Sequence, residues 1–312
     1  MPYQTLNLQV ELQVAIVTLN RPEKRNAISP TMIDELLGAL EEIERSPARV
    51  AILTGAGKAF CSGMDLESLQ VMAERTAEAN LADESASEGE KEPAGEGVVD
   101  LAVRVLRGET KAQSAEAVDS NGAPALTPAE ADLASSRLMA DLFRRIYDFP
   151  KPLIAAVNGP AIAGGCGIAT LCDFTLSVPD AKFGYTEVRI GFIPAIVSVF
   201  LIRQIGEKRA RDLLLTGRIV DAAEAYRLGL VTEIVSPEAL TDRSRQLAKQ
   251  LLQNSPTSLT CTKRLLREFS RRDLDRELDS AVDENASIRA TADFREGLAA
   301  FLERREPAWR GE

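Results

Sequence analysis

Residues 152–172, PLIAAVNGPAIAGGCGIATLC, run 21 positions without a charge. That is membrane-spanning length. Asn158, Gly159 and Pro160 interrupt it together, however, and further glycines follow at 164, 165 and 167. A run broken in this way reads as a buried strand, a turn and the start of a buried helix, not as a span. The flanking chain fits. Residues 13–20 (QVAIVTLN) read as a strand ended by Arg21-Pro22, and 49–54 (RVAILT) as another closed by Gly55. Between them, Ser29 is a helix N-cap and Pro30 suits the first helical position. Apolar residues recur at Met32, Ile33, Leu36, Leu37, Leu40 and Ile43. Strand, helix and strand joined by short loops make a crossover unit of an α/β fold.

The pattern lapses over 83–126, where Glu, Ser, Gly, Ala and Pro dominate. That composition is expected of weakly ordered chain, with one short helix possible over 101–109. Order resumes at Thr127-Pro128-Ala129-Glu130, a capping box opening a helix that should run to about Asp148. Residues 173–178 and 182–185 read as strands. From Gly206 onward the pattern is helical, over 207–216, 221–228, 237–253, 257–270 and 273–304. The expected organisation is therefore an α/β core over 1–206, with an insert at about 70–135, and an all-helical region over 207–312. The tail keeps apolar positions such as Leu278, Val282 and Ile288 for packing on the core or on another subunit.

Histidine is absent from all 312 residues. Triads, Cys-His dyads, His-ligated zinc and imidazole proton shuttles are therefore excluded. Acid–base chemistry must come from carboxylates, Lys, Tyr, Cys or backbone groups. Asp and Glu exceed Lys and Arg by 47 to 37, a net charge of −10 that disfavours nucleic acid as a partner. The cysteines Cys61, Cys166, Cys172 and Cys261 form no CxxC pair, as free thiols of a reducing cytosol would not. No secretory leader or membrane span is predicted, so a cytoplasmic location is expected.

TGAGKAF (54–60) is no phosphate loop, because Ile52 stands where a glycine is required and Ala59 where a hydroxyl is. GPAIAGGCG (159–167) lacks the dinucleotide fingerprint. Both loops instead put small residues just before a helix: Gly63 ahead of Met64-Asp65, and Gly164-Gly165. Helix N-termini present unpaired N–H groups, and two that converge make an oxyanion hole.

RPEKRNAIS (21–29), GKAFCSGMDL (57–66), KPLIAAVNGPAIAGGCGIATLCDF (151–174) and AKFGYTEVRIGFIPA (181–195) together resemble the crotonase (enoyl-CoA hydratase/isomerase) superfamily. LLLTGRIVDAAEAYRLGLVTEIV (213–235), NSPTSLTCTKRLL (254–266) and DFREGLAAFLERREPAW (293–309) continue the resemblance to the end of the chain. It implies a spiral of ββα units, a helical C-terminal trimerisation region, and a homotrimer or homohexamer. The implied substrate is an acyl-CoA thioester, with no cofactor or metal beyond the CoA that the substrate carries. Its thioester oxygen would sit between the backbone N–H groups of Met64 and Gly164. CoA contacts would fall at Lys24, Arg25, Ala27, Lys58, Ser62, Asp65 and Leu66, and at Phe301 and Arg304 from the last helix.

Hydratases of this family carry two glutamates about twenty positions apart. The second matches Glu187; the first falls on Gly167. The resemblance implies enoyl-CoA hydratase-type chemistry first. The alternatives are a Δ3–Δ2 enoyl-CoA isomerase using Glu187 alone, and a non-catalytic acyl-CoA-binding relative. A glutamate at position 167 is expected to restore the hydratase pair if the site has room for it. The insert is expected to serve as a lid or pocket wall.

Overall fold

The computed structural model describes residues 3–71, 74, 127–269 and 271–311. Expectations for 83–126, including the short helix and the lid, lie outside the described residues. The capping box does not: Thr127 accepts from the Glu130 N–H, and the Glu130 carboxylate accepts from the Thr127 N–H.

A six-stranded sheet lies at the centre. Its edge is a hairpin, β1 (Leu6–Glu11) antiparallel to β2 (Val14–Leu19), turned by Leu12-Gln13. Then β3 (Val50–Gly55), β4 (Leu153–Val157), β6 (Phe174–Ser177) and β9 (Glu233–Ile234) follow, all parallel. Every residue of β4 is buried, as a central parallel strand requires. A second sheet of three short strands sets β5 (Ala161–Ile162) beside β7 (Lys182–Gly184) and β7 beside β8 (Val220–Asp221). Helices α1 (Pro30–Arg45), α2 (Pro128–Asp148) and α3 (Gly164–Leu171) pack against this framework, followed by the largely apolar α4 (Ala195–Ile205).

The tail is mostly helical: α5 (Glu207–Thr216), α6 (Ala222–Leu228), α7 (Leu240–Leu252), α8 (Pro256–Glu268), α9 (Arg271–Ser287) and α10 (Ala292–Glu303). It is not all-helical, which corrects the expectation for 207–312. β8 and β9 lie inside it and complete the two sheets. Strands of two residues leave no periodicity to detect, and Asp221 doubles as the N-cap of α6. The long helix expected over 273–304 is broken at Ile288–Ala290 and recapped by Thr291. α9 packs on both α2 and α4 of the core, as expected of the tail's apolar positions. Among the described residues, no helix is long and apolar enough to cross a membrane.

Two backbone approaches place the site. α3 presses on the loop after β3, where a Cβ on Gly165 would stand 2.7 Å from the Cys61 Cβ and closer still to the Cys61 carbonyl. α10 presses on the 3₁₀ turn Glu187–Ile190, where a Cβ on Gly297 would stand 2.8 Å from the Gly191 nitrogen. Contacts this short are not compatible with a methyl group. Gly165→Ala should therefore cost about 3 kcal/mol or more of stability by overpacking against rigid backbone. Chemical denaturation measures it, and a loss within about 0.5 kcal/mol would mean the two loops are not in contact.

Candidate active site

The Arg21–Ile28 loop is locked by side chains. Asn26 is fully buried with a left-handed backbone (φ +55°). Its amide donates to the Ala56 and Ala59 carbonyls, each at 2.9 Å, and its Oδ1 accepts from the Arg21 N–H. The Arg21 guanidinium donates to the Ala27 carbonyl at 2.6 Å and to the Asp65 carboxylate at 2.8 Å. Asp65 also accepts from the Glu67 N–H, capping the helical segment that starts at Leu66. Its carboxylate is thus committed to bracing the loops. The brace holds Lys24, Arg25, Ala27, Ser62 and Leu66 along one wall of a cavity of about 950 Å³.

Met64 and Gly164 line the same cavity. Ile28 and Met64 form a parallel bridge, with the Ile28 N–H donating to the Gly63 carbonyl and the Asp65 N–H to the Ile28 carbonyl, both at 2.8 Å. This pairing leaves the Met64 N–H without a partner among the described residues. Gly164 opens α3, so its N–H is one that a helix does not satisfy internally. The peptide carrying it follows Ala163, whose φ of +50° and ψ of −127° are strained for a residue with a Cβ. Gly63 (φ +89°) lets the loops meet, since a Cβ there would lie 2.8 Å from the Ala163 Cβ and 3.6 Å from the Gly164 nitrogen.

Glu187 begins the 3₁₀ turn and reaches the cavity beside Thr186, Ile190 and Phe192. The residue is half-buried, but its Oε2 is enclosed and has no hydrogen-bond partner among the described residues. Burial pushes its pKa from 4.5 up to about 7, against a small opposing pull from its own backbone N–H. A carboxyl that titrates near neutrality can both take and return a proton.

Gly167 is elsewhere. It does not line the cavity, and a Cβ on it would meet the Phe143 ring and the Val197 side chain, both at 2.9 Å. A glutamate at position 167 would have to displace those two side chains. Lys58 is exposed and off the cavity. Arg304 caps α10 in a left-handed conformation and is also off it, while its neighbours Phe301 and Leu302 line the wall. Sequence reading missed Met139, Phe143 and Asn285, which also line the cavity. The i, i+4 spacing of Met139 and Phe143 on one helix face was the only signal for any of them. Among the described residues, no cluster of three Cys, Asp or Glu is placed to hold a metal ion.

The enoyl-CoA hydratase/isomerase family model matches residues 9–89 and 101–312. A Thermus thermophilus protein provisionally named enoyl-CoA hydratase is 40% identical over 302 residues, covering 96% of this chain and 99% of that one. The 1,2-epoxyphenylacetyl-CoA isomerase of Escherichia coli is 30% identical, covering 97% of each. Among solved structures, an enoyl-CoA hydratase/isomerase from Xanthobacter autotrophicus Py2 superposes with a TM-score of 0.72 at 29% identity, over 98% of this chain and all of that one. The match runs through both loops and the Glu187 turn, and on it the chain belongs to the enoyl-CoA hydratase/isomerase family, the crotonase superfamily.

Proposed function

We propose that the chain moves a proton on an acyl-CoA thioester with Glu187 as its single acid–base group, as a Δ3–Δ2 enoyl-CoA isomerase does. The observation that carries this reading is the enclosed oxygen of Glu187, unpartnered among the described residues: on the same cavity Asp65 pairs with Arg21 and Glu67 with Lys24, and position 167 carries no carboxylate. The Glu187 carboxylate takes a proton from C2 of a 3-enoyl thioester. The electron pair moves onto the thioester oxygen, forming a dienolate. The N–H groups of Met64 and Gly164 stabilise that oxyanion, and losing one such donor typically costs about 10²–10³ in rate. The protonated Glu187 then returns its proton at C4, leaving the conjugated 2-enoyl product. CoA enters as part of the substrate, with Lys24 and Arg25 at the wall; no separate cofactor takes part.

Hydration is the second reading. The crotonyl-CoA hydratase of Syntrophomonas wolfei, 29% identical over 98% of each chain, favours it. Assaying 3-enoyl-CoA isomerisation beside crotonyl-CoA hydration decides between them. CoA binding without either turnover supports a non-catalytic role instead.

Glu187→Gln should lower isomerase turnover by about 10²–10⁴ with CoA binding retained. Near-normal activity in that variant sinks the assignment. For the wild type, kcat/KM should rise with pH through about 7, where Glu187 becomes the base, and the Gln variant should lack that limb. Stability carries the opposite sign. A carboxyl with a raised folded-state pKa favours the fold below 4.5 and loses that contribution as pH climbs to about 7. The Gln variant should therefore match the wild type at low pH and exceed it by up to about 3 kcal/mol at pH 8. A gap that does not grow with pH contradicts the dry setting of the carboxyl.

Gly167→Glu should give no gain in hydration and lose about 1–3 kcal/mol of stability, as overpacking does. A clear gain in crotonyl-CoA hydration would overturn the one-carboxylate reading.

The chain assembles as a trimer or hexamer in this proposal. α8 buries none of its residues within the chain, and it exposes Leu265 and Leu266 with Phe269 just beyond. Four free cysteines fit a reducing cytoplasm. Mass measurement at micromolar concentration should give a trimer or a multiple of it; a stable monomer refutes the assembly.

A further inference from the structure

Four polar side chains are buried where α2 meets α9 and the turn that follows it. Arg289 is wholly enclosed, stacked over the Phe192 ring at 5.6 Å. Its Nη1 donates to the Asp132 carboxylate at 3.2 Å and to the Asp132 carbonyl at 3.1 Å. Its Nη2 donates to the Asn285 Oδ1 at 3.2 Å, and the Ser136 hydroxyl lies 3.0 Å from the same oxygen. Burying a guanidinium is costly unless it is paired and hydrogen-bonded. The pairing has a consequence for Asn285. Arginine only donates, so the Asn285 atom facing it is the oxygen, and the amide nitrogen faces the other way.

That nitrogen is poorly used. Asn285 is 6% exposed and lines the cavity that holds Glu187. Its Nδ2 has one long contact, 3.5 Å to the Ile193 carbonyl. Its second hydrogen has no partner among the described residues. Its neighbours on that wall include Met139, Phe192, Ile193 and Val197. A donor held rigidly in an apolar chamber costs free energy until a ligand supplies an acceptor.

We propose that Asn285 is a specificity-determining donor, whose amide recognises an acyl chain bearing a hydroxyl, ether or carbonyl oxygen beyond the reacting carbons. This rests on the reading that the cavity takes an acyl-CoA thioester. Arg289 and Asp132 act on the acyl chain's oxygen only through Asn285, as positioning residues.

The test is calorimetric binding to the full chain of saturated acyl-CoA thioesters, taken in pairs of equal length. One member of each pair carries a hydroxyl or keto oxygen at C4 or beyond; the other carries none. The oxygenated member of at least one pair should bind the wild type about fivefold to tenfold more tightly, the scale of one neutral hydrogen bond. N285D keeps an acceptor for Arg289 and replaces the donor with an oxygen. In it the preference should vanish while the unsubstituted partner binds within about twofold of wild type. S136A removes a neighbour of the same oxygen but leaves the donor, and it should retain the preference. Equal affinity of the wild type for both members of every pair overturns the proposal without any variant being needed. So does a preference that survives N285D, or an equal loss for both members. If the wild type binds the unsubstituted thioesters and shows no preference, only the role of Asn285 falls. If it binds no CoA thioester at all, the acyl-CoA reading of the cavity falls and this role falls with it.

Discussion

Backbone meets backbone where the loop after β3 touches the start of α3, and most of the site's geometry depends on that contact. β3 and β4 are neighbours in a parallel sheet, so their chains leave at the same edge. Ligands of parallel sheets bind at that carboxyl edge. The two loops meet there only because Gly63 and Gly165 carry no side chain. The same approach brings the unpaired N–H groups of Met64 and Gly164 to one cavity wall and strains Ala163. Arg21, Asn26 and Asp65 then fix the remaining loop against the pair.

Against that backbone frame, the chemistry comes down to how dry the opposite wall is. Glu187 has no histidine to share a proton with, and Asp65 and Glu67 on the same cavity are paired with Arg21 and Lys24. Its basicity is raised by enclosure, which moves it toward neutrality against the pull of its own backbone N–H. Phe143 and Val197 occupy the volume beside Gly167 and keep the wall apolar. A proton passed between two carbons of one substrate needs no ordered water. Adding water to a double bond needs a group to hold it.

Much of this was legible before any coordinates. The uncharged run broken at Asn158 was read correctly as strand, turn and helix. Ser29, Thr127 and Glu130 marked helix starts through hydrogen bonds made within four residues. Met64, Gly164 and Glu187 stood in spaced motifs and do share a cavity. What escaped was either too short or too distant in sequence. β1 exposes most of its length and β8 and β9 are two residues each, so none shows an apolar period. α4 is apolar on nearly every side and has no polar face to reveal it. Phe143 and Val197 crowd Gly167 across 24 and 30 positions, and Asn285 finds Ser136 across 149. Lys58 and Arg304 were carried by motif alone, and their side chains lie off the cavity.

The seating of α10 on the Glu187 turn ties a late helix to the proposed acid–base group. Gly297 lets the helix axis come within touching distance of Ile190 and Gly191, and Phe294 and Leu298 seal Phe192 and Leu69 beneath it. Elements held by few packed neighbours open locally at lower cost than the core. When α10 lifts, solvent reaches the carboxyl, its affinity for protons falls back toward that of an ordinary glutamate, and its strength as a base falls with it. The raised proton affinity of Glu187 is thereby conditional on α10 being seated. With α10 displaced, the carboxyl keeps every atom and loses the medium that raises its pKa.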